Sequence, residues 1–358
     1  MKILDRYILR QFLTTFAFIL GMFVVICLLV DLVEKIDDFI DKDPPIGEII
    51  FDYYLNFIPY YGLLLMPVCV FLAVIFFTSR MAGRTELIPL LSVGVSFYRL
   101  LAPYILTAIL LAGVSFYFKA YQLPSATNTR IEFEYKYFKK RRISSTKHIH
   151  KKVAPDTYVY ISYYNERRKE GHTFALERFD EKEVITKIAA RKIIWVDSTE
   201  KWRLENVDIR HLPDKINETI EKHKFVDTTF LLTPDDIFIK EQWAETMSLP
   251  ALADYITLEE MRGSDILKEL YVERHRRYSD PVALIILTLI GYAMSSRKSR
   301  GGVALRIGLG LITAFSYIAV LFIGTAIAGD RLEPWIAVWA PNAIYLGIAM
   351  LLLWRAPK

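Results

Sequence analysis

The chain has 358 residues, 53% of them apolar and 14% aromatic, with a net charge of +5. Several uncharged runs are long enough to cross a bilayer, which excludes an ordinary soluble globule. The charge is modest and unevenly placed and does not point to nucleic acid, and the two cysteines, Cys27 and Cys69, lie inside apolar runs and exclude a disulfide framework.

The opening residues carry Lys2, Arg6 and Arg10 ahead of a full-length apolar run. No small-residue cleavage site follows, so the expectation is a retained anchor whose start is cytoplasmic. One crossing takes about 20 apolar residues. Six spans are predicted: Phe12 to Val30, Phe51 to Phe77, Leu101 to Phe118, Val282 to Ser295, Val303 to Ala328 and Trp335 to Trp354. The fourth is short unless Tyr278 to Pro281 is counted in. Six crossings return the C-terminus, with Arg355 and Lys358, to the starting side. The links holding Arg80, Arg84 and Arg99, and Arg297, Lys298 and Arg300, are basic, as short cytoplasmic loops are.

Past the first span the charge reverses. Asp31, Glu34, Asp37, Asp38, Asp41 and Asp43 face only Lys35 and Lys42. Leu32, Val33, Ile36, Phe39 and Ile40 keep the helical period, so the helix is expected to run on until Pro44-Pro45 stops it. The acidic stretch reads either as a solvated face or as a partner surface.

The link from Ser79 to Leu100 contains a short amphipathic stretch, about residues 84–95. Glu86 stands at its start, Leu87, Ile88, Leu90 and Leu91 supply apolar positions, and Gly94 closes it. An acid in the first turn suits the helix dipole, and glycine suits the left-handed closing position. Pro89 fits a helix interior poorly, so the helix starts near Ile88 or loses one hydrogen bond. With nothing of its own to pack on, this stretch reads as a docking element.

Between the third and fourth spans the pattern changes to short β-rich runs: Tyr158 to Tyr164, Thr173 to Phe179, Val184 to Val196, Trp202 to Leu212 and Lys224 to Thr233. Turn signals such as Glu170-Gly171 and Pro213-Asp214 separate them. Several strands at this spacing suggest a sandwich or roll of the jelly-roll type, outside the cytoplasm. The basic run Lys139 to Lys152 reads as a solvated loop or as a patch for anionic lipid or a phosphorylated ligand. His148 and His150 have no third ligand near them, and no metal is assigned. After Met247-Ser248 a short helix is expected, leading to Arg274, Arg276 and Arg277 ahead of Pro281. Cations at the outer face fit anionic headgroups or a phosphorylated substrate, or snorkel to the interface.

The predicted fold is an α-helical membrane protein with six transmembrane helices and an all-β, jelly-roll-like domain between the third and fourth. Its divisions fall at residues 1–120, 121–248, 249–275 and 276–358. No G-x-x-x-x-G-K-[ST], G-x-S-x-G or H-E-x-x-H motif occurs, so the chain carries no P-loop to cradle ATP phosphates and no such hydrolase signature. A scaffold or sensor with an outer β domain, or an intramembrane lipid-modifying enzyme, remains as an alternative reading.

The residues LDRYILRQF at the start resemble the LptF/LptG permeases, the membrane subunits of the lipopolysaccharide exporter of Gram-negative bacteria. So do TEL and VGVS in the link, the Met247-Ser248 region, RRYSDPVALIILTLIG and WAPNAIYL. The likeness covers nearly the whole chain. It implies an inner-membrane protein with both termini cytoplasmic and the β domain periplasmic. The implied partners are a cytoplasmic ABC ATPase dimer, a second permease subunit (a paralogue or itself), a periplasmic jelly-roll carrier and lipopolysaccharide. No cofactor is bound, ATP belonging to the partner. The resemblance places ATPase coupling on Arg84, Glu86, Leu87, Leu90, Leu91 and Gly94, with Pro89 departing from the usual residue. It makes Lys35, Lys42, Arg130, Arg274, Arg276 and Arg277 candidates for lipid phosphate, although the family's lysines at the outer end of the first span are here largely replaced by Asp31, Asp37 and Asp38.

Overall fold

The computed structural model describes residues 3–84, 86, 89, 93–138, 145–165, 168–180, 183–214, 217–237, 243–264, 266–296, 302–328 and 332–356. The chain divides into two compact units. The first holds residues 1–134, 244–250 and 268–358, and the second residues 135–243 and 251–267.

Among the described residues of the first unit, six helices are long and apolar enough to cross a membrane. They are α1 (Ile3–Lys42), α2 (Ile46–Gly83), α3 (Phe97–Tyr137), α7 (Leu267–Ser295), α8 (Gly302–Ala326) and α9 (Pro334–Trp354). The first helix does continue past its apolar run, and Asp43 takes φ 44° where Pro44-Pro45 ends it. The third outlasts its span further than the sequence suggests. It passes residue 121, where the sequence reading begins the β domain, and ends at Tyr137. The turn Phe118–Gln122 widens to π geometry just before Pro124, where the proline lacks an N–H to donate, so the helix absorbs the breaker instead of stopping. The fourth span likewise starts well before Pro281, at Leu267.

Helix α2 is the centre of the bundle. Cys69, Val70, Ala73 and Val74 on it join a core with Ile8, Phe12, Leu101 and Leu284. Phe71 and Ile75, on its other side, pack with Ile286, Ile290, Ala314 and Ala349. In the most apolar stretch of α2 and of α7, 67% is buried, against 17% in α1 and α8. The last two therefore present most of their apolar surface to lipid or to another chain. A buried polar chain ties the second half together. Tyr317 Oη donates to Asn342 Oδ1 (2.9 Å), and Asn342 Nδ2 donates to Ser279 O (3.0 Å), so α8, α9 and α7 are held by bonds that lipid could not replace.

The second unit is a six-stranded antiparallel sheet in the order β1-β2-β3-β4-β5-β6. The strands are β1 (Ser145–Ala154), β2 (Thr157–Asn165), β3 (Glu170–Asp180), β4 (Glu183–Val196), β5 (Lys201–Asp214) and β6 (Asn217–Thr228). Most of the basic run thus forms a strand, with residues 139–144 outside the described ones. The described strands make one up-and-down meander, and the crossing between two sheets that defines a jelly roll is not among them. The sheet is creased instead. Partner ladders break at one row, Ser162, Thr173, Arg191 and Asn206, and Thr173 and Asn206 have φ of 54° and 52°. Across this row the inward positions shift parity, from Ile161 to Tyr164 and from Ala190 to Ile193. A left-handed residue bends a strand and re-aims its side chains, so one sheet curls around its own core. Phe230 and Leu232, from the segment leading to α4 (Pro234–Ile237), cover that core: the Phe230 ring lies parallel to Trp202, and Trp202 Nε1 donates to Leu232 O (2.7 Å). Two further helices, α5 (Trp243–Thr246) and α6 (Leu249–Arg262), precede α7.

Candidate functional site

Polar residues of the membrane unit gather at the two ends of the bundle. At one end α2 passes into the link. Arg84 N donates to Arg80 O (3.0 Å) as the helix closes, and Glu86 N donates to Met81 O (3.0 Å). The Arg84 and Glu86 side chains are 58% and 36% exposed and meet only at 3.9 Å. Val93 N donates to Pro89 O (3.0 Å), a helical bond that needs no donor from the proline itself. Gly94 follows at φ 89°, a backbone that favours glycine. Ser96 then caps α3, its Oγ accepting from Arg99 N, while Arg99 Nη2 donates to Asp5 Oδ2 at 2.7 Å and pins the start of α1 beside it. Leu87, Leu90 and Leu91 lie outside the described residues.

At the far end the charges are packed together. Lys35 donates to Tyr53 Oη, lies 3.0 Å from Asp31 Oδ1 and 3.8 Å from Glu134 Oε1. Tyr53 Oη donates in turn to Asp31 (3.0 Å). Arg130 donates to Glu134 (2.6 Å) and rests over the Tyr60 ring, 4.7 Å from its centroid. Lys42 is exposed at the end of α1, and Arg274 stacks on Tyr271. Arg277 Nε donates to Glu273 Oε1 (3.1 Å) and Nη2 to Ala244 O (2.8 Å). Arg276 is 3.9 Å from Glu273, and Lys119 pairs with Asp280. Of the six cations proposed for lipid phosphate, four (Lys35, Arg130, Arg276 and Arg277) already face acids of their own chain.

These last groups line a cavity of about 60 Å³, together with Glu245: three acids (Glu245, Glu273 and Asp280) and three cations (Lys119, Arg276 and Arg277). Burial, followed by the charge of Glu273, holds the Glu245 carboxyl above the usual range. Sequence reasoning missed Lys119, Glu245, Glu273 and Asp280 as a group because separate elements bring them together. The Arg130–Glu134 and Glu273–Arg277 pairs, each at i,i+4 spacing, were the available signal.

Six spans interrupted after the third by a β unit, with charge confined to the bundle ends, define a multi-pass membrane protein carrying an inserted β domain. The chain matches the family model described as lipopolysaccharide export system permease LptF/LptG over residues 6–355. It belongs to that family and is a permease subunit of lipopolysaccharide export. A comparison with curated proteins finds no match.

Proposed function

We propose that this permease works by ATP-driven coupling. A cytoplasmic ABC ATPase dimer docks on the link, with Glu86 meeting a basic residue of the ATPase and Leu87, Leu90 and Leu91 seated in its groove. Nucleotide-driven closure moves the docked link, and the helices follow as rigid bodies. The chain sits in the inner membrane with both termini cytoplasmic, paired with a second permease subunit across the faces that α1 and α8 leave exposed. Lipopolysaccharide taken from the outer leaflet passes along the β domain to a periplasmic carrier of similar roll-like fold. Lys42 and Arg274 are the cations of the far end best placed to meet lipopolysaccharide phosphate, because Lys35 and Arg130 would first have to exchange partners, and Arg276 and Arg277, which already face Glu273, have only their remaining N–H groups to offer.

The observation that carries this reading is the link. An acid that among the described residues meets a cation only at 3.9 Å stands ahead of a helical turn closed by Gly94. Losing one partner of a desolvated interfacial pair costs about 2–5 kcal/mol, more than tenfold in affinity. Glu86→Gln should therefore insert and fold normally, bind the ATPase more than about tenfold more weakly and export correspondingly less lipopolysaccharide. Wild-type ATPase binding and export by that variant would reduce Glu86 to a helix-start residue.

A further inference from the structure

The far-end cavity is left with two kinds of incomplete bonding. The Arg277 side chain is 3% exposed, yet among the described residues its Nη1 has no hydrogen-bond partner, and neither does Arg276 Nε. Buried guanidinium N–H groups without acceptors are costly, so an acceptor belongs there. On the other side the Glu245 carboxylate accepts only a long bond from Tyr60 Oη, 3.5 Å, among the described residues. Its pKa is raised by burial and then by the charge of Glu273, which the long Tyr60 bond does not offset. Guanidinium N–H groups of Arg276 and Arg277 therefore lack an acceptor, and the Glu245 carboxylate lacks a close donor.

We propose that this cavity holds the headgroup of a zwitterionic phospholipid, its phosphodiester accepting from Arg277 and Arg276 and its primary ammonium facing Glu245. The charge balance selects this class. Three acids already stand against three cations, so a dianionic phosphate would bring charge that nothing here neutralises, whereas a zwitterion brings none. The level is right as well. At 1.5 Å per helical residue, Leu64 lies about 28 Å along α2 from its Gly83 end. By the same rise Lys119 lies about 33 Å from the Phe97 start of α3, and Arg276 about 28 Å from the Ser295 end of α7. That is one hydrocarbon thickness away from the links, where the opposite leaflet keeps its headgroups. The volume accommodates about four waters, or a phosphoryl group entering first with the ammonium at the mouth. Leu63, Leu64 and Leu123 line the same cavity, and Leu64 is 49% exposed, an apolar exit for the acyl chains.

The full chain, reconstituted in nanodiscs of equal parts phosphatidylethanolamine, phosphatidylcholine and phosphatidylglycerol, is extracted gently and weighed by native mass spectrometry. One phosphatidylethanolamine per chain should remain, preferred about tenfold over phosphatidylglycerol, and about tenfold less should stay on Arg276→Gln and on Glu245→Gln. Phosphatidylcholine, whose quaternary ammonium has no N–H, should be held more weakly. Both substituted residues lie at the cavity but make no short bond to the backbone, and thermal stability of each variant checks its folding. Retention of phosphatidylglycerol equal to or above that of phosphatidylethanolamine overturns the proposal, as does wild-type retention by both variants. Displacement of the lipid by millimolar inorganic phosphate would replace it with a phosphate site. Because export is not the readout, the lipopolysaccharide function can fail or stand independently.

Discussion

The two ends of the membrane bundle treat charge in opposite ways. At the link end Arg84 and Glu86 reach into solvent and barely touch. At the far end Lys119 and Asp280, each 13% exposed, are paired, and Arg277 is held from two sides. A buried pair is expensive to break because the remaining ion keeps its desolvation cost, whereas an exposed pair contributes little. The Glu86 charge in the link is thus available to an outside partner, unlike the Arg99–Asp5 pair beside it, and the paired charge at the far end is committed to the fold. The same contrast separates the candidate cations from one another, since basic residues in a sequence look alike whether or not an acid waits for them across the bundle.

The largest expected effect tests the committed end. Asp280→Asn leaves Lys119 buried without its counter-ion and should cost about 3–5 kcal/mol, seen as a large drop in thermal stability in detergent. Lys119→Met together with Asp280→Leu should recover most of the loss, because two apolar groups leave no ion behind. A small effect of Asp280→Asn alone would mean that water reaches the pair, and the contrast between the ends would weaken.

How much of this was legible depends on the range of the interaction. The spans were readable because lipid demands continuous apolar runs, and all six are found close to where those runs lie. The stop at Pro44-Pro45 and the left-handed Gly94 were readable from single residues. Strand β1 was hidden because its lysines and histidines read as a charge run, and only pairing with Tyr160 and Ile161 of β2 shows the strand. In β3 and β5 the alternation inverts midway at Thr173 and Asn206, and neither residue type announces a left-handed backbone inside a strand. The far-end cavity was least legible, since Lys119, Glu245 and Asp280 meet through tertiary packing.

A smaller effect falls on the link. A Cβ at Gly94 would meet no atom within 4 Å, so the cost of Gly94→Ala is that of the positive φ alone, about 1–2 kcal/mol. The loss is local. Amide exchange at Val93 and Val95 should quicken while the melting temperature stays put. A global drop would show that the link is built into the bundle, against the contrast drawn above.

Glu245 sharpens the far end through pH. Its carboxyl titrates above the ordinary range in the folded chain, so the folded state binds that proton more tightly than the unfolded one. Its contribution is most favourable below the unfolded value and fades as pH rises through the folded value. Wild-type stability should accordingly fall across that window as pH rises, and Glu245→Gln, which keeps the acceptor for Tyr60, should flatten that part of the profile and be the more stable protein above it. An unchanged profile would place the carboxylate in contact with bulk water.

The smallest effect on the fold belongs to Arg84 and Glu86. At 3.9 Å and with both side chains substantially exposed, the pair contributes about 0.2–1 kcal/mol to the chain that carries it. Exchanging the charges, Arg84→Glu with Glu86→Arg, preserves the attraction and should leave the melting temperature of the isolated permease unchanged. Its effect should appear only when the ATPase is added. A partner with a basic residue at the docking site then meets a guanidinium where the acid stood, and like charges replace an ion pair, so binding should fall at least as far as in Glu86→Gln. An acid substituted at the matching basic position of the ATPase should recover part of it. If the exchange instead lowers the stability of the permease alone, the link end is committed to the fold as the far end is, and its charges are not held in reserve for a partner.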